Sequence, residues 1–179
     1  MSAPGLSEIQ GRVRNLAARI GAPPEILPTF GYSEDGARPH VEVGRDGLLH
    51  YVVVERGQEL DRQTVVELDE LLWHIFKHVT FSLACDFELK HRVALKDCRR
   101  LIFAKQVELL GTLSVEWAVR EQHDHDAILA RHPFDDAAGE RATLSATLRA
   151  AGQSNAVAWR NACERYPLPE HANDPQRDA

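Results

Sequence analysis

Residues 68–89 read LDELLWHIFKHVTFSLACDFEL, and the spacing of their apolar members decides how the rest of the chain is organised. Leu68, Leu71, Leu72, Ile75, Phe76, Val79, Leu83 and Phe87 recur at intervals of three and four, which predicts a helix over 69–89 with a wide apolar arc. An arc of that width needs neighbours on several sides, so this helix is expected at the centre of the fold. Upstream, the pattern has a period of two. His40–Val43 and Leu48–Glu55 flank Gly44-Arg45-Asp46-Gly47, and Gly57 permits a second turn into a strand ending near Val66. The change of period between 66 and 68 marks a change of layer. The expected class is α+β, a small antiparallel β-meander over 40–66 packed against a mainly helical body over 68–165.

Working outward, Ser7 to Ile20 reads as a first helix, with Ser7 as N-cap, Ile9, Val13, Leu16, Ala17 and Ile20 on one stripe, and Gly21 ending it. Residues 22–39 hold Pro23, Pro24, Pro28, Gly31, Gly36 and Pro39, and read as an ordered loop anchored by Ile26, Leu27, Phe30 and Tyr32. Asp97 is placed to cap a helix running to about Leu129. Unbroken, it would extend about 50 Å, and a bend is cheapest at Gly111. Pro133 stops it. Residues 138–165 read as a further helical region divided near Gly152, with Leu144, Leu148, Val157 and Trp159 turned inward. The organisation expected is a single domain over 1–166 and a flexible tail over 167–179. Trp73, Phe76, Phe103, Leu110 and Trp117 are the expected core.

The chain has 179 residues, 44% hydrophobic, with 21 Lys and Arg against 27 Asp and Glu, for a net charge of −6. That balance argues against nucleic acid as a partner, because Lys and Arg supply most of the affinity for phosphates. No apolar run approaches the roughly 20 residues that cross a bilayer. The start, Met1-Ser2-Ala3-Pro4-Gly5, lacks the basic and apolar segments of a secretory signal, so a cytoplasmic location is expected. Cys85, Cys98 and Cys163 lack CxxC spacing and read as reduced structural residues. Residues 67–136 carry 9 basic and 13 acidic side chains, so most of the acidity lies in the middle of the chain.

The motifs give enzyme chemistry no foothold. GxSxG, GxxxxGK[ST] and GxGxxG after a strand are all missing from the sequence, and no catalytic residues or cofactor are assigned. His74 and His78 stand at i and i+4, the spacing of a helix-borne metal site, with His91, His123 or His125 as a possible third ligand. Ile75 occupies the position where a zincin carries its glutamate, so the protease reading fails. Two polar residues on the edge of a helix is the simpler reading. Glu121-Gln122-His123-Asp124-His125-Asp126 also suggests a metal, but adjacent helical side chains point 100° apart, which makes a solvated acidic face the better reading. Arg99 and Arg100 oppose the dipole at the start of their helix and require carboxylates as compensation. Glu55 or Glu70 pairing with Arg100 would join the sheet to the helices. The same arginines could instead line a cleft for an acidic group.

These residues carry a resemblance. Glu55-Arg56-Gly57, Glu70-Leu71-Leu72-Trp73, Asp97-x-Arg99-Arg100-x-x-Phe103 with Gln106 and Leu109, Trp117, and Pro133-Phe134-x-Asp136 resemble the Immunity protein 63 family of bacterial polymorphic toxin systems, over roughly residues 48–136. The resemblance implies a non-enzymatic cytoplasmic protein that binds and blocks a cognate toxin domain, and it supplies no binding residues. Charge complementarity nominates the acidic stretch Glu121, Asp124, Asp126, Asp135 and Asp136 as the face for a basic toxin. The alternatives are a small helical metal-binding protein or metalloenzyme using His74 and His78, and a scaffold or regulator with another protein partner.

Overall fold

A computed structural model describes residues 4–170; the part of the expected tail beyond 170 lies outside the described residues. The chain runs α1 (Leu6–Arg19), β1 (Thr29–Phe30), β2 (His40–Val43), β3 (Leu49–Glu55), β4 (Gln58–Val65), α2 (Leu68–His91), α3 (Arg99–Leu113), α4 (Val115–Arg131), α5 (Ala138–Ala150) and α6 (Asn155–Arg165). The α+β class holds. One sheet has the order β1-β2-β3-β4, antiparallel except that β1 runs parallel to β2, with Thr29 opposite His40. The antiparallel-meander expectation therefore needs one correction: a two-residue strand inside the proline-rich loop extends the sheet.

The turns follow from their residues. Gly47 takes φ +81° in the β2–β3 turn, and Arg56 and Gly57, at +52° and +72°, form the two-residue turn from β3 to β4. Gly21, at φ +66°, ends α1, whose last carbonyls accept from the Gly21 and Ala22 amides. The N-cap of that helix is Gly5, two residues earlier than the expected Ser7.

Nearly every face of α2 is covered, as its wide arc requires. Leu71, Leu72, Trp73, Ile75, Phe76 and Val79 are buried, against Ile9, Val13 and Ala17 of α1, Val41, Leu49 and Tyr51 of the sheet, Leu110 of α3 and Trp117 of α4. The Phe76 and Trp117 rings stack with centroids 6.0 Å apart. Phe103 is the exception among the expected core residues, being only half-buried. Fully burying a side chain of this size contributes about 1.5–3 kcal/mol.

The long helix expected after Asp97 is two antiparallel helices. The break falls at Ser114 rather than Gly111, because the Ser114 hydroxyl accepts from the Trp117 amide and thereby caps α4. Past α4, α5 and α6 form a hairpin around Gly152, whose φ is +90°. Its interface consists of Ser145, Ala158 and Ala162, while Val157 and Trp159, expected inside, are exposed. Small residues let the two helices approach closely, and the larger side chains are displaced outward. All three cysteines are free thiols, and Cys98 is exposed rather than packed in a helix face. Among the described residues, no helix is long and apolar enough to cross a membrane.

Candidate functional site

Two places gather the residues singled out in the sequence. The first is an ion-pair staple. Asp97, just ahead of α3, accepts from the Arg99 amide at 3.0 Å and from the Asp135 amide at 2.9 Å, and Arg99 grips its carboxylate. The other arm of Arg99 donates to the carbonyls of His132 and Pro133, both at 2.8 Å, at the end of α4. Arg100 lies over the Phe134 ring at 4.3 Å and bonds Asp136, which also holds Lys96. The arginines that oppose the dipole of α3 are thus compensated by carboxylates and by the carbonyl end of α4. The compensation expected from carboxylates is present, but the partners differ. Glu70 instead bonds Arg120 at 2.7 and 2.8 Å, and Glu55 pairs with its neighbour Arg56, at 3.8 Å. The staple closes one end of the α3–α4 hairpin and does not join sheet to helices.

Electrostatics agree with this geometry. Arg100, the Asp97 amide and Lys96 hold the Asp136 carboxyl far below the ordinary range, and Arg141 depresses that of Asp135. For Asp97, burial opposes ionisation, yet Arg99 and two backbone amides still bring its carboxyl down. Asp135 and Asp136 are therefore committed inside the molecule. A groove of about 800 Å³ runs beside them, between the end of α2 and α5, but its charges answer one another in the pairs Glu88–Arg92, Lys96–Asp136 and Asp135–Arg141.

The second place is a cleft of about 630 Å³ between the sheet and the helices. Tyr51, Val53, Asp61 and Gln63 form its sheet wall; Trp73, His74, Lys77, His78 and Phe81 come from α2. Phe103 and Gln106 of α3 and Arg120, Glu121, Asp124 and His125 of α4 complete it. Burial, reinforced by Asp61, pushes the Tyr51 hydroxyl well above its usual range, so it stays protonated. Phe81, 44% exposed, is an apolar contact at the cleft. Lys77 and Arg120 lie over Trp73, at 5.3 and 4.4 Å from its ring centroid.

His74 and His78 do share one side of α2, as their spacing requires. Burial lowers the basicity of His74, whose Nε2 lies 3.5 Å from Glu70. His91 stacks on Phe87, and His125 lines the same cleft but stacks on Phe103 with centroids 3.9 Å apart. Among the described residues, no three His, Cys, Asp or Glu side chains come together to hold a metal ion.

The acidic run divides by helical phase. Asp126 is exposed and Asp124 half-exposed, whereas Glu121 and His125 are 3% and 2% exposed and turned inward. Glu121 Oε1 lies 3.1 Å from His125 Nε2, which is 3.2 Å from Gln106 Oε1, and Lys77 bonds Asp124. Sequence reasoning missed this buried cluster, although Trp117, Glu121, His125 and Ile128 lie on one helical stripe, led by an expected core residue.

The staple and the cleft together contain most of the motif residues named above. Residues 46–127 match the family model Immunity protein 63. The match supports the resemblance read from the sequence, and it spans β3 through most of α4, including every residue that lines the cleft except Ile128. No curated protein and no solved structure matches the chain. The N-terminal helix, the staple's Phe134–Asp136 segment and the α5–α6 hairpin lie outside the Immunity protein 63 match.

Proposed function

We propose that this chain is a non-enzymatic immunity protein that binds a cognate toxin domain in the bacterial cytoplasm and blocks it. The observation that carries the reading is the Immunity protein 63 match over the residues that build the cleft. The proposed docking face is the cleft rim, with Asp61 on β4 and Asp124 and Asp126 on α4 as its acidic contacts and Phe81 as its apolar contact. Asp135 and Asp136 belong to the staple and act by holding α3 and α4 in place.

The test is co-expression with the C-terminal domain of a large secreted protein encoded beside the gene. An immunity protein restores growth to cells making that domain and co-purifies with it in a fixed ratio. Absence of both protection and complex would sink the reading.

A further inference from the structure

The cleft contains two buried side-chain atoms without a hydrogen-bond partner among the described residues. Gln106 donates through Nε2 to the Lys77 carbonyl at 3.1 Å, which directs its Oε1 to His125. His125 Nε2 then faces two oxygen acceptors, Gln106 Oε1 and Glu121 Oε1, and so carries a proton. The ring's other nitrogen, Nδ1, has no hydrogen-bond partner among the described residues. That atom and Glu121 Oε2 are the unmatched pair. A carboxylate oxygen can only accept, so Glu121 Oε2 lacks an N–H donor, the cation beside it being Lys77 at 3.6 Å.

The cleft's own cations do not donate a hydrogen bond to Glu121 Oε2. Lys77 Nζ lies 3.6 Å from Glu121 Oε2, beyond a good hydrogen bond, and bonds Asp124 instead. Arg120 is engaged bidentately by Glu70. Asp61, on the opposite wall, bonds Gln63 and forms no ion pair among the described residues, and burial disfavours a charge on His74.

We propose that the cleft is a socket for one basic side chain, Lys or Arg, of the toxin domain, whose N–H group bonds Glu121 Oε2. The proposal rests on the immunity reading for the identity of the partner. The chemistry of the socket is independent of that reading, which separates the tests.

The socket is tested by NMR on the full chain with N-acetyl-arginine amide and N-acetyl-lysine amide, against the uncharged N-acetyl-citrulline amide. One of the cationic probes should shift the Gln106 side-chain amide and the Trp73 indole saturably, while the citrulline amide leaves both in place. Lys77→Gln removes the competing ammonium and should tighten binding about tenfold. Glu121→Gln, with a dispersed spectrum, should abolish it. If that variant fails to fold, the wild-type comparison and Lys77→Gln decide alone. An equal response to citrulline, no response to either cation, or weaker binding by Lys77→Gln overturns the socket. A chain that binds the arginine amide but no toxin refutes the immunity reading and keeps the socket. A toxin complex indifferent to Glu121→Gln does the reverse.

Discussion

Arg141 and Asp135 face each other through two parallel hydrogen bonds of 2.6 and 2.9 Å, with the arginine only 2% exposed. Arg141 also donates to the carbonyls of Tyr166 and Pro167, at 2.8 and 3.1 Å, so one guanidinium ties the start of α5, the end of α6 and the loop after α4 together. Among the described residues, no other ion pair joins the hairpin to the body.

Arg141→Met leaves Asp135 and two carbonyls without their donor. With Asp135 20% exposed, the loss should fall at or below the figure of about 3–5 kcal/mol for a fully buried pair. The loss should appear as faster amide exchange in α5 and α6, with α2 unchanged. Equal loss of protection in α2 would mean that hairpin and body unfold as one unit.

Acid should weaken the protein in two stages. Burial holds native His74 below the ordinary histidine value, so the unfolded chain binds that proton first, and stability begins to fall as pH drops below about 6.5. Glu70, Asp135 and Asp136 are depressed by Arg120, Arg141 and Arg100 respectively. Their contribution is complete above about pH 5 and is lost as the pH falls through about 4 toward the native values. Urea midpoints measured from pH 8 to 3 should show both declines. Burial also lowers His78, so His74→Gln should shrink the upper stage without removing it, and Asp136→Asn should reduce the lower; a flat profile contradicts the assignment.

Two phenylalanines separate core from cleft wall. Phe76 is fully buried against Trp117, so Phe76→Ala should cost about 3–5 kcal/mol by chemical denaturation. Half-buried Phe103 rests on His125, and Phe103→Ala should cost about 2 kcal/mol. Equal losses would show that the cleft closes over Phe103 in solution.

What the sequence made legible was whatever a local period could encode. The arc of α2 and the alternation of β2 and β3 carry their own geometry, and the Asp46-Gly47 and Arg56-Gly57 turns announce themselves by residue type. β1 does not, because two residues among prolines become a strand only through pairing with β2. Ser114 was readable as a cap, but Gly111 three residues earlier offered the cheaper bend, and propensity alone could not choose between them. The helix dipole alone says that the staple's arginines need compensation, but which groups supply it depends on which helix ends meet in space. Glu121 and His125 were obscured by composition: within an acidic run, helical phase decides which side chains turn inward, and charge type suggests the opposite.

The helix break at Ser114 also bears on how many chains make one folded unit. A single non-helical residue separates α3 from α4, and its hydroxyl is what favours doubling back over continuing. With Ser114 replaced by alanine, the cap is lost, at about 1 kcal/mol, and the continuous rod becomes more accessible. In that rod α4 leaves its own Trp117 pocket and can fill the same pocket on a second copy, giving a domain-swapped dimer. Size-exclusion chromatography of Ser114→Ala at rising concentration reads this directly, and a strictly monomeric variant would show that packing of α4 alone is enough to turn the chain.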